Sequence, residues 1–119
     1  MFDGTDGTVR GRRTFAEIAP EDGLPDGMAI DADGGVWVCL FGGAAVRRYD
    51  PSGHLDVELR LPVSNPTCPV FGGPDLRTLF ITTARHGLSA RQLQSEPLAG
   101  SVLAADPGIA GLPGNRFAG

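Results

Sequence analysis

Leu24-Pro25-Asp26-Gly27-Met28-Ala29-Ile30-Asp31-Ala32-Asp33-Gly34-Gly35-Val36-Trp37-Val38 decides how the rest of the chain is read. Pro25 fixes its own φ, and Gly27 relieves the steric limit just after Asp26. Met28-Ala29-Ile30 then enters a strand, Asp33-Gly34-Gly35 turns the chain, and Val36-Trp37-Val38 returns as the second strand of a hairpin. Asp26 therefore stands at a strand mouth where the backbone is tightly steered. The tripeptide Pro-Asp-Gly by itself favours a turn-forming aspartate over a functional carboxylate.

The same grammar extends outward. Thr8 to Ile18 reads as a strand rich in Arg and β-formers, closed by Pro20-Glu21-Asp22-Gly23. Downstream, Phe41-Gly42-Gly43 turns into an Ala45–Tyr49 strand, and Asp50-Pro51-Ser52-Gly53 turns again into His54–Leu61. There Leu55, Val57, Leu59 and Leu61 alternate as in a half-buried strand. Thr67–Phe71 contains Pro69 and is expected at an edge or a bulge. Leu79–Thr83 reads as a buried strand, Arg85–Pro97 as a long loop with a helical turn through Leu88, Arg91, Gln92 and Leu93 as the alternative, and Gly100–Ala104 as a last strand before a Gly/Pro-rich tail.

These segments repeat. Phe2-Asp3, Tyr49-Asp50-Pro51 and Asp106-Pro107-Gly108 each open a turn, a strand and a proline, at Pro20, Pro62 and Pro113. Gly34–Val38 corresponds to Arg77–Ile81, which pairs Trp37 with Phe80 and assigns both to the core. The second copy carries an insertion at about Ala84 to Leu98. A period near four dozen residues with four short strands is the pattern of a β-propeller blade. The expected fold is all-β, about two to three antiparallel four-stranded blades forming one domain over residues 1–119. Such an arc leaves unpaired edges at both ends and points to self-association or pairing with missing blades.

Composition narrows the function. The chain has 119 residues, 41% of them hydrophobic, with 18 Gly and 10 Pro, and a formal net charge of −4. Its scattered Arg residues and acidic balance argue against nucleic acid. No run approaches the ~18 apolar residues of a membrane helix, and no signal peptide is visible, so a cytoplasmic protein without membrane contact is expected. Cys39 and Cys68 read as small buried thiols. Asp31-Ala32-Asp33-Gly34 fails as a calcium loop, because Val36 and Gly42 stand where Gly and Glu are required. It reads as a turn. Arg47-Arg48 reads as a solvated strand edge, His54 as exposed and His86 as a loop residue. Glu21 and Asp22 are candidates to add negative charge near Asp26. No G-x-S-x-G or phosphate-cradling motif is present.

Taken in order, Leu24–Met28, Asp31–Gly34, Val36–Val38, Gly42-Gly43, Val46–Gly53, Leu61–Val63, Phe71–Gly73, Ile81–Arg85 and the closing Arg116–Gly119 carry a further signal. The series resembles the C-terminal part of the senescence-marker-protein/gluconolactonase/luciferin-regenerating family, which includes regucalcin. The resemblance implies a six-bladed propeller that hydrolyses sugar lactones with one divalent metal, calcium or else zinc or manganese. It also implies that the Asp of Pro-Asp-Gly is a metal ligand and the base. Here that residue is Asp26. The family's other ligands, a Glu and an Asn, and its substrate-binding Arg and Asn have no counterpart in this sequence. Two functions are therefore expected as alternatives: a C-terminal piece of a metal-dependent lactone hydrolase, or a non-catalytic propeller piece whose edges mediate protein–protein association.

Overall fold

A computed structural model describes residues 5–117. The opening Phe2-Asp3-Gly4 of the first repeat, and Ala118-Gly119 at the end, lie outside the described residues. Two antiparallel sheets carry the fold. The first has the strand order β1 (Leu24–Ile30), β2 (Val36–Phe41), β3 (Ala45–Tyr49), β4 (Leu55–Arg60). The second runs β5 (Pro66–Gly72), β6 (Thr78–Thr83), β7 (Val102–Ala105). Within each sheet every strand pairs antiparallel with its neighbour in sequence.

The repeat is exact in spacing at its start. β1 and β2 recur as β5 and β6 42 residues later. Both first strands carry a one-residue irregularity near their starts: Asp26-Gly27 face Cys39 between the pairs Pro25↔Leu40 and Met28↔Val38, and Thr67 is the extra residue between Pro66↔Thr83 and Cys68↔Thr82. These are β-bulges, which twist a strand and re-aim its side chains. They end the expectation for Pro69: β5 is an edge strand with a bulge.

The repeats diverge after their second strand. A three-residue turn at 42–44 joins β2 to β3, whereas residues 84–101 join β6 to β7. In that insertion the helical alternative prevails over the plain loop. It contains helix α1 (Ala90–Ser95), fixed by a capping box in which Ser89 Oγ accepts from Gln92 N–H and Gln92 Oε1 accepts from Ser89 N–H. Reciprocal capping satisfies two backbone donors and lets a helix this short persist.

The core lies between the sheets. Trp37, Cys39 and Val46 from the first sheet meet Phe71, Leu79 and Ile81 from the second, with Val57, Leu59, Leu61 and Ile109 around them. Trp37 and Phe71 meet edge to face, centroids 6.2 Å apart at 84°. Phe80 is corrected by this arrangement. Leu79 and Ile81 hold the core face, so Phe80, one residue out of phase, points to the opposite face of the sheet and is only partly buried. The sequence alignment of Trp37 with Phe80 was off by one, and in a strand one residue reverses the face.

Two further expectations change. Residues 8–18 belong to neither sheet, with an isolated bridge at Val9 and a left-handed Gly11 (φ 65°) interrupting the run; Phe15, Ala16 and Ile18 instead cover Val38, Leu40, Ala45 and Tyr49 on the outer face of the first sheet. A strand needs a partner for its backbone groups, and no described strand lies beside this one. The third repeat, opening at Asp106, forms no sheet. Its Ala110 carbonyl accepts from Ala32 N–H at 2.9 Å, and Gly111 N–H donates to Leu76 O at 2.8 Å. This segment clasps the two sheets.

Candidate functional site

Asp26 sits on the bulge of β1, exposed, beside the first strand of the second sheet. Gly27 makes that approach possible: a Cβ there would fall 2.7 Å from the Cys68 side chain and 2.7 Å from the Thr67 carbonyl oxygen. Upstream, the chain is led into β1 by a 3-10 turn at Pro20–Asp22. Asp22 is held by Arg47 at 3.2 Å, so its charge is spent there, and Glu21 is exposed.

The turn-former reading of Asp26 can be tested against the other aspartates. Asp6, Asp31, Asp50, Asp75 and Asp106 each accept a hydrogen bond from the backbone N–H two residues on. That is the Asx-turn signature. Asp26 accepts none from the described residues and lies within a strand. Its carboxylate is left facing solvent at the bulge.

Cys39 lies close enough to Cys68 and Asp26 for their charges to act on it. Cys39 is fully buried, and its thiol is pushed up to about 12 by burial first, then by Cys68 and Asp26. Cys68 is exposed, contrary to the sequence expectation. The extra residue Thr67 precedes the Cys68↔Thr82 pair, and the Cys68 side chain lies against Gly27 of β1 at an exposed position outside the packed core. Neither cysteine is in a disulfide.

Sequence reasoning missed Asp31, which it read as one member of a turn. Asp31 is fully buried and accepts five hydrogen bonds: from Asp33 N–H, Gly35 N–H, Trp37 Nε1 at 2.8 Å, Arg48 Nε at 2.6 Å and Arg48 Nη2 at 3.2 Å. Burial pushes its carboxyl up, but the hydrogen bonds from Arg48, Trp37, Gly35 and Asp33 together outweigh that and hold it below the usual carboxylate range. Arg47 and Arg48 are likewise not a solvated edge. Their side chains are 13% and 11% exposed, paired with Asp22 and Glu58 and with Asp31 and Asp56. The available signal was charge alternation across strands: Arg47 faces Glu58 in the β3–β4 register. Asp31 is a structural hub; it has no lone pair turned to solvent.

Among the described residues no metal site is complete. Calcium takes about 6–8 oxygen ligands, and the described residues contain no group of three or more His, Cys, Asp or Glu side chains placed to hold an ion. His54, just after a turn, and His86, within one, are both exposed. Among the described residues no helix is long and apolar enough to cross a membrane.

The architecture is that of part of a β-propeller, with two successive blades stacked through their faces. The sequence signature of the SMP-30/Gluconolactonase/LRE-like region matches residues 1–85, and the chain belongs to that family. Among similar proteins, a 6-deoxy-6-sulfogluconolactonase of Pseudomonas putida is 42% identical over 98% of this chain and 40% of its own length. An L-arabinolactonase of Azospirillum brasilense is 40% identical over 95% of this chain and 37% of its own. The crystal structure of regucalcin from Agrobacterium tumefaciens, a calcium-binding protein, superposes with a TM-score of 0.80 at 32% identity, over 90% of this chain and 36% of that one. The chain thus spans about two fifths of the length of these relatives.

Proposed function

We propose that this chain is the Asp26-bearing part of a sugar-lactone hydrolase. The observation that carries the reading is the placement of Asp26: five other aspartates are engaged in local turns and Asp22 and Asp56 in ion pairs, whereas Asp26 is exposed on a bulged strand. An exposed carboxylate on a stiff strand can accept a proton from water as that water attacks a lactone carbonyl. The ring C–O bond then breaks, the ring oxygen takes up a proton, and a hydroxy acid leaves. The similarity to lactonases supplies the substrate class, a sugar lactone, and the similarity to regucalcin supplies a divalent metal, for which Asp26 is the one ligand we assign. The remaining ligands and substrate contacts would come from outside this chain.

The test is lactone hydrolysis with calcium, manganese or zinc added, comparing the wild type with Asp26→Asn at equal, verified folding. Metal-dependent turnover that disappears in Asp26→Asn supports the reading. Equal turnover in both rejects the role of Asp26. A second reading, association without catalysis, is favoured by a specific observation: large apolar side chains remain exposed on the outer faces, including Met28 and Ile30 on one sheet and Val70 and Val102 on the other. A folded, metal-supplied wild type with no turnover would select it.

A further inference from the structure

The chain has two cysteines, 29 positions apart in sequence, and the fold brings both to Gly27. On β2, Cys39 faces Asp26-Gly27 across the bulge of β1. Its side chain shares the core face with Trp37, and Ala29, which pairs with Trp37, packs on that same face. A Cβ on Gly27 would meet the second sheet, 2.7 Å from Cys68 Cβ and 2.7 Å from Cys68 Sγ. The two thiols therefore approach each other from different sheets, over a residue that has no side chain to keep them apart.

We propose that Cys39 and Cys68 form an intramolecular disulfide when the folded chain meets a hydroperoxide, an oxidation site that staples β2 to β5 beside Asp26. The inference does not depend on the lactonase reading, and both partners lie within this chain. Opposed residues on one sheet face hold their Cβ atoms about 4.5–5.5 Å apart. Cys68 Cβ lies 2.7 Å from the Cβ position of Gly27, which puts the two cysteine Cβ atoms at most about 8 Å apart. A disulfide holds them about 3.5–4.5 Å apart. The bulge can take up the difference, because its extra residue is unpaired in the ladder. Cys68 is also loosely held: its S–H donates to the Pro69 carbonyl oxygen across 3.7 Å, a weak contact.

The reaction has two steps. Cys68, the exposed thiol, takes one oxygen of hydrogen peroxide; the O–O bond breaks and the thiol proton leaves with the other oxygen as water. The Cys39 sulfur then attacks the sulfur of that sulfenic acid, the S–O bond breaks, and hydroxide departs with the Cys39 proton as a second water. Two thiols lose two electrons and two protons, and one peroxide is reduced to two waters. Burial keeps the Cys39 thiol protonated, so it enters second.

The test treats the reduced full chain with stoichiometric hydrogen peroxide, alkylates it after unfolding and reads the product by mass spectrometry. The expected product is a monomer lighter by two hydrogens with no alkylated cysteine. Digestion at Arg should then yield residues 14–47 joined to residues 61–77, and reduction should return both thiols. A chain with oxygen added at Cys68 and Cys39 still alkylated overturns the proposal, as does a main product linking two chains through Cys68. In concentrated urea the cross-link should form at least about tenfold more slowly, since only the fold holds the sulfurs within reach. An equal rate there overturns it. In Cys68→Ser, Cys39 should stay unoxidised at the same dose; its oxidation would overturn the order of the two steps.

Discussion

The two sheets share a register and a core, yet they are secured by different means. In the first, a buried carboxylate collects donors from a turn, a strand and a neighbouring strand: Asp31 binds the backbone of 33 and 35, the indole of Trp37 and the guanidinium of Arg48. The corresponding position in the second sheet is Gly73, and no buried carboxylate stands there. That sheet relies on Leu79 and Ile81, both fully buried, and on the capped insertion between its last two strands. Polar networks specify geometry at high cost when broken, whereas apolar contacts lose energy in proportion to what is removed.

The comparison sharpens first at Asp31. Replacing it by Ala leaves Arg48 nine-tenths buried without its main partner, and removal of one member of a buried ion pair costs ~3–5 kcal/mol. Urea denaturation of Asp31→Ala should show this as a lowered midpoint. Its pH dependence follows from the direction of the shift. A carboxyl held low in the folded state contributes stability that is present above the unfolded carboxyl's pKa and is lost as pH falls through the folded value. The urea midpoint should therefore fall in acid below about pH 4, and that acid limb should flatten in Asp31→Asn.

Next comes the apolar counterpart. Leu79→Ala should cost ~2–5 kcal/mol, the range for emptying a packed core position. Unlike Asp31→Ala, it should show no added pH dependence in denaturant titrations. A smaller effect is expected at the insertion: Ser89→Ala removes one side of the capping box and should cost ~1 kcal/mol. The loss should appear in hydrogen exchange as faster exchange confined to 90–96. The smallest energetic change separates the two cysteines. Cys68→Ser, at an exposed site, should alter stability by within about 0.5 kcal/mol. A thiol reagent at mildly alkaline pH should label Cys68 in the folded chain and reach Cys39 only on unfolding; labelling of both together would contradict the burial of Cys39.

Much of the fold was legible because strand grammar is local. Alternation in 55–61, the turn residues at 33–35 and 50–53 and the repeat spacing give the strand order without any long-range information. Phe80 failed because face is a property of register, and a single-residue bulge or offset reverses it. Residues 8–18 failed for a different reason: β-forming side chains make a segment extended, but only a neighbouring backbone makes it a strand. In the insertion, Ser89 and Gln92 carried a helix signal that a Gly- and Pro-flanked stretch obscured. Asp26 could be named from its motif, yet its tripeptide is also a turn sequence; its place on the bulge of β1, rather than in a turn, came only from the strand pairing.

By itself, then, the sequence determined the all-β repeat, the positions of its turns and the family to which the chain is similar, since all of these rest on residues near one another in the chain. Tertiary structure alone decided that Asp31 is a buried hub, that Arg47 and Arg48 are enclosed in ion pairs, and that Cys68 faces outward while Cys39 does not. Each of these depends on which backbone lies alongside, and on how much water that neighbour excludes.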